Sequence, residues 1–327
     1  MQQFFQLIGR TCLLVLVLTG APGASFAATE VKVGLYLTNL YDIDMHNSQY
    51  NVQFWVWFLH DNPDYDPTSR TEVINGKSWS QQNGVREVSG GQIWDVMSFR
   101  ALIDEEWDIK RYPFDTQTLH IHLEDIEQTA ANLTFIPDVA GTRIDESLIP
   151  DGWKLQDYRI DVSPHRYNTS FGDPALGSET TSEFSRVSLV MTLEREGRRL
   201  FTTIFIGFFV ATLFVLMTLA VNMSRRAHPV IPLQPRVTLA SGAIFSTIGS
   251  IYLLVNQMPY TTEFTLADSL LTTTSVGTVL CIVSSFTTDV VCKTDRAATM
   301  YRLNKVFFAL FLGLHLGINT SFMMGWV

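Results

Sequence analysis

Trp107-Asp-Ile-Lys-Arg-Tyr-Pro-Phe-Asp-Thr-Gln-Thr-Leu-His-Ile-His122 is the stretch on which the reading of the whole chain turns. Its second half alternates. Leu119, Ile121 and, one step on, Leu123 share one face, while His120, His122 and Glu124 share the other, the period of a half-buried β-strand. In its first half Pro113 fixes a turn, the flanking aromatics Tyr112 and Phe114 bury the hairpin end, and Asp115 is placed to face a cation.

Working outward, similar β-branched and aromatic runs occupy Val31–Leu37 and Tyr50–Phe58, and further strand-like runs are 131–136, 153–162 and 184–193. Turn clusters separate them, and helical periodicity is nearly absent before Arg199. The expectation is an immunoglobulin-like β-sandwich over residues 28–199. Beyond it the composition changes. Uncharged stretches of 20 to 24 residues begin at Leu200, Val237, Ser269 and Val306, each long enough as a helix to cross about 30 Å of hydrocarbon. We expect four transmembrane helices at about 200–223, 236–258, 267–289 and 303–327.

Charge divides the same way. Residues 28–199 carry a net −13 and residues 200–327 a net +3, within a total of −9. This excludes a single soluble globule, and the acidic balance argues against nucleic-acid binding through a basic face. Arg10, the apolar run Cys12–Leu18 and Ser25-Phe-Ala27 describe a secretory signal peptide cleaved after Ala27. Connections 224–236 and 290–305 are basic and 260–268 is acidic, so the basic-loop rule puts the sandwich and the C-terminus outside a cell (inner or plasma) membrane. The sandwich has no cysteine for a disulfide framework.

The core Tyr112-Pro-Phe-Asp-x-Gln-x-Leu119 resembles the signature loop of pentameric ligand-gated ion channels, the Cys-loop receptor superfamily, in its bacterial branch without the loop cysteines. The likeness extends to Gly34-Leu-Tyr-Leu, Tyr41-Asp-Ile-Asp44, Gly152-Trp153, Arg236-Val-Thr-Leu239 and Pro259. The Trp-x-Pro segment usual for the family's binding site is missing, and the first helix has no proline. The resemblance implies a homopentamer gated by a small molecule or by protons, with permeant ions and lipid as its other partners and no cofactor. It implies coupling through Asp44, Tyr112, Pro113, Phe114, Asp115, Pro259 and an arginine before the first helix. Arg195, Arg198 and Arg199 stand there, and Arg198 or Arg199 is expected to meet Asp115. It also implies a ligand site at a subunit interface bordered by Gln53, Trp55, Glu124, Asp125 and the hairpin carrying Tyr167, Phe171 and Phe184.

If the second helix lines a five-fold axis, helical spacing from Thr238 brings Gly242, Phe245, Gly249 and Tyr252 onto one face. Five copies of Phe245 would make an apolar ring that blocks ions by dewetting. The alternative is that these glycines serve helix packing and Phe245 meets lipid or a neighbour. Arg236 is expected at the pore mouth, and beside Pro235 it leans the reading toward anions. His120, His122 and Glu124 share a face that suits a metal or a proton, against the plainer reading of a polar outer strand face. Asp61, Asp64 and Asp66 are calcium-like in spacing but lack the loop glycine and final glutamate. The rival readings are a membrane-anchored periplasmic receptor that does not conduct, and an integral-membrane enzyme. No catalytic constellation supports the second, and no enzymatic activity is expected.

Overall fold

The computed structural model describes residues 28–172, 181–223, 232–258, 264–291 and 297–324. The signal-peptide reading (1–27), the connection with Pro259 (259–263) and residues 173–180, within the segment expected to carry a ligand hairpin, lie outside these residues.

Two sheets face each other. One has the order β4-β5-β2-β1-β7, built from β1 (Thr29–Asp44), β2 (Gln49–His60), β4 (Gly76–Ser89), β5 (Gln92–Asp104) and β7 (Leu133–Pro137), with the short β8 (Arg143–Ile144) also pairing β1. The other runs β3-β6-β10-β9, from β3 (Thr71–Val73), β6 (Thr116–Asp125), β9 (Trp153–Tyr167) and β10 (Ser182–Arg195). The alternation that marks β2 as a strand is also what builds the core. Tyr50, Val52, Phe54, Val56 and Phe58 all point inward and are buried, against Leu119, Ile121 and Leu123 of β6 and Val187, Leu189, Met191 and Leu193 of β10. The inward file of β2 ends on a polar residue, His60. Its Nε2 lies 2.9 Å from Asp95 Oδ2, and Arg86 donates to both Asp95 oxygens at 2.8 and 3.1 Å, so the buried carboxylate is paired.

The strands β3, β4, β5 and β8 were not among the runs read from the sequence. β4 and β5 form a hairpin around Gly90 and Gly91, whose φ values of +61° and +81° fit the left-handed turn such hairpins use. The aspartates at 61–66 precede a one-turn helix, α1 (Pro67–Arg70), and Asp66 caps it by accepting from the Thr68 backbone N–H.

Four long helices follow: α2 (Arg198–Asn222), α3 (Leu233–Val255), α4 (Leu266–Val291) and α5 (Ala297–Met323). All four contain spans long and apolar enough to cross a membrane. α3 and α5 begin a few residues before the expected starts. Small residues let the helices approach closely, as membrane bundles require without a hydrophobic driving force. Gly207 of α2 lies against Ser250 of α3, the Ser246 hydroxyl donates to the Gly207 carbonyl at 2.7 Å, and Gly277 of α4 lies under the ring of Phe311 of α5.

Candidate functional site

The segment 107–122 comes to rest on the helices. Tyr112–Pro113 is a cis peptide, and the loop it shapes places Tyr112 and Ile109 in one buried apolar cluster with Ile204, Phe205 and Phe208 of α2 and Leu266, Ala267 and Leu270 of α4. Met45, from the turn between β1 and β2, completes that cluster. Phe114 is half exposed and packs on Phe201, ring centroids 5.4 Å apart. Gly197, immediately before α2, sits so close beneath the Pro113 carbonyl that a Cβ there would overlap it.

At the centre of this junction is an ion pair. Arg195 Nε donates to Asp115 Oδ1 at 2.8 Å and its Nη2 to Oδ2 at 3.2 Å, a two-pronged geometry. Asp115 also accepts from Gln117, and Arg195 contacts the sulfur of Met45. The guanidinium lies 4.0 Å over the Trp153 ring and 5.3 Å from the centre of Tyr112. The expected partner of Asp115, Arg198 or Arg199, is thus corrected to Arg195. The reason is register: Arg195 is the last residue of β10, so its side chain stays with the sheet, whereas Arg198 and Arg199 already belong to α2. Burial pushes the Tyr112 hydroxyl up to about 12, so it stays neutral.

The turn after β1 reaches the end of α3. Asp44 accepts from the backbone and side chain of Asn47 at 3.1 and 2.6 Å, and the Asn47 side-chain bond holds its carboxyl below the usual range. His46 Nδ1 lies 3.1 Å from the Met258 carbonyl, just past the last turn of α3. Nothing in the sequence singles out His46 or Met45, and Gly152-Trp153 stands out only through the family resemblance, without a role, since each acts only through partners distant in the chain.

The candidate ligand residues divide between two places. Glu124, Asp125, Tyr167, Phe171 and Phe184 come together around a cavity of about 270 Å³, with Glu72, Ile74 and Ile126. Tyr167, Phe171 and Phe184 meet edge to face with centroids 5.3 to 6.3 Å apart. Gln53 and Trp55 lie elsewhere, half-buried on the outer face of the other sheet, where Trp55 pairs with Tyr36 and Ser98. Glu124 is neutralised in place: Arg186 ion-pairs with it and the Tyr167 hydroxyl donates to it at 2.9 Å. Asp125 differs. It is buried, and its Oδ1 accepts from the backbone N–H groups of Glu127 and Gln128 at 2.8 and 2.7 Å. Its Oδ2, also buried, has no hydrogen-bond partner, and burial raises its pKa above the usual carboxylate value.

His120 and His122 do share a face, stacked 5.5 Å apart, but each has a partner. His120 meets Glu105, and His122 Nδ1 lies 2.8 Å from the Ser188 hydroxyl. Burial, with Arg186 and His120 nearby, holds His122 down at about 4. Among the described residues no group of three His, Cys, Asp or Glu is arranged to hold a metal ion.

On α3 one stripe is buried against the other helices: Arg236, Ala240, Ala243, Thr247 and Ser250. The opposite side is open. Thr238 and Gly249 are exposed, Phe245 is 75% and Tyr252 70% exposed, and nothing lies within contact of a Cβ built on Gly249. Gly242 departs from the set, half-buried against the ring of Phe214 of α2. The expectation for Arg236 is corrected outright. It is 1% exposed and points into the bundle, donating to Asn222 and to the Ser285 carbonyl, so it cannot line an open mouth on the side of Phe245.

Comparison of the chain with protein-family models and with curated protein sequences finds no match.

Proposed function

We propose that the chain is the subunit of a homopentameric ion channel gated by a small cationic ligand or by protons, with α3 lining the pore. The observation that carries this reading is the junction. A β domain rests its turn 45–48 and its loop 109–115 directly on the ends of the helices, through one shared apolar cluster and the contact of His46 with the Met258 carbonyl, while the buried Arg195–Asp115 pair braces the loop from within the β domain. A rearrangement of the sandwich cannot leave those helix ends unmoved, because close-packed interfaces transmit displacement rather than absorb it. The same α3 keeps a face free of its own bundle, and five such faces around an axis would enclose a path with a ring of Phe245. The resemblance of residues 107–122 to the signature loop of the pentameric channels supports the same reading. So do the four uncharged, helix-compatible stretches after Leu200.

The cavity beside Asp125 suits an organic ammonium. Aromatic faces from Tyr167, Phe171 and Phe184 attract a cation, and the carboxylates of Glu72, Glu124 and Asp125 add negative charge to the lining. In a ring of subunits, Gln53 and Trp55 of a neighbour would close this cavity from the opposite side. Basic connections between helices and the acidic β domain support a topology with the β domain and the C-terminus outside the cell membrane.

The test is direct. The purified full chain is mass-measured in detergent and recorded in planar bilayers during acidification and during application of primary amines. Five copies with a gated current are expected. A monomer, or a protein silent under both stimuli, overturns the channel reading in favour of a non-conducting receptor.

A further inference from the structure

The end of α3 remote from the β domain is held by a polar network that reaches all four long helices. Arg236 Nη1 donates to Asn222 Oδ1 of α2 at 3.1 Å and to the Ser285 carbonyl of α4 at 3.0 Å, while Nη2 lies 3.4 Å from Asp289 Oδ1. Asn222 in turn donates to the hydroxyls of Ser284 and Ser285 at 2.8 and 3.1 Å. Asn304 of α5 closes the circuit, donating to the Asn222 carbonyl at 3.0 Å and to Thr288 at 2.8 Å, and accepting from Ser284 at 2.9 Å. Arg236, Asn222, Ser284, Ser285, Thr288 and Asn304 are all buried.

The other end of α3 is held differently. Among the described residues, no side chain of α3 from Ile251 onward hydrogen-bonds another helix, and Ile251, Leu254 and Met258 rest in the apolar cluster at the junction. Apolar contacts are non-directional and allow packed helices to slide by small steps. A buried guanidinium cannot slide so. Each displaced bond would leave a desolvated charge or amide without a partner.

We propose that the Arg236–Asn222–Asp289 network is a clamp on the remote end of the pore helix. Arg236 then positions that helix without acting on the permeating ions, and the gating movement is made by the end nearer the β domain. The open stripe beside it supports this, because Gln234, Thr238, Phe245, Gly249, Tyr252 and Asn256 carry no charge. The inference rests on the reading of α3 as pore-lining.

Channels carrying Arg236→Gln, Asp289→Asn and both are recorded in bilayers under a salt gradient. The clamp predicts that each single change shifts the proton or amine concentration for activation in the same direction by about tenfold or more. The double change adds little to either, and the reversal potential stays that of the parent. A reversal potential that moves with Arg236→Gln but not with Asp289→Asn puts the guanidinium in the ion path and overturns the proposal, as do additive shifts. Should Arg236→Gln fail to assemble, Arg236→Lys keeps the charge but cannot reach three partners at once. The clamp then predicts shifted activation, whereas a lumen charge predicts none. If the parent passes no current, the channel reading fails instead. The clamp is then judged on melting temperatures of the same variants in detergent, where additive losses refute it.

Discussion

Arg195 earns its place at the junction by geometry that no other cation there can copy. It offers two parallel N–H bonds to Asp115 while its flat face lies on Trp153, and a lysine can do neither together. Asp115→Ala leaves that guanidinium buried beside an apolar cluster with no carboxylate. The expected cost is about 3 to 5 kcal/mol of stability, read by chemical denaturation of the detergent-solubilised protein, with loss of coupling between stimulus and current. An unchanged denaturation midpoint contradicts the assignment. His122 sets a pH dependence of definite sign. Its pKa is about 4 folded against 6.5 unfolded, so between these values the unfolded chain binds the extra proton. The stability it contributes is complete above pH 6.5 and is lost as pH falls toward 4, about 3 kcal/mol at most and less once solvent screening of this part-exposed ring is counted. His122→Gln should flatten the stability–pH curve through that window, measured by melting at a series of pH values. Asp125 has its pKa raised by burial, so acid neutralises it at a higher pH than an ordinary carboxylate, and affinity for an amine should fall as pH drops.

At the scale of elements, one close approach decides how strand meets helix, and one open face is what α3 offers a neighbour. Gly197 joins β10 to α2 beneath the carbonyl of Pro113, where a methyl group has no room. Gly197→Ala must push the loop off the end of α2, and the expected result is a channel that assembles yet responds to its stimulus with a much smaller maximal current. A normal response would mean the loop does not bear on the helix. On α3, the ring of Phe245 is exposed on the open face, where a pore-lining helix would turn it toward the ion path. Phe245→Ala should raise the current in the absence of stimulus, since a smaller side chain leaves a constriction that wets more readily. The opposite stripe, alanines and hydroxyl residues ending at Arg236, owes its burial to close helix packing.

At the scale of the molecule, the acidic β domain and the apolar helices each have a core of their own, and a third buried cluster joins the two. Met45, Ile109 and Tyr112 are buried in a cluster with residues of α2 and α4. A fragment ending at Glu196 therefore exposes this patch, and it should self-associate with rising concentration in sedimentation experiments. A fragment that stays monomeric at all concentrations would show that the domains are independent.

What the residues alone determined is the architecture. Strand alternation, four long uncharged runs and the opposite charges of the two halves are local and periodic, and local periodicity specifies which elements form and which face each buries. β4 and β5 are hard to read from the residues because their polar edge and glycine turn dilute the alternation that marks β2 and β6. What only the tertiary structure decided is partnership. Arg195 rather than Arg198 or Arg199 takes Asp115, Arg186 takes Glu124, and Arg236 turns inward to Asn222 and Asp289. A long cation can reach many places from one position in the chain. Which one it occupies depends on strand register and helix rotation, and burial then makes that choice binding, because a desolvated charge must be paired where it lies.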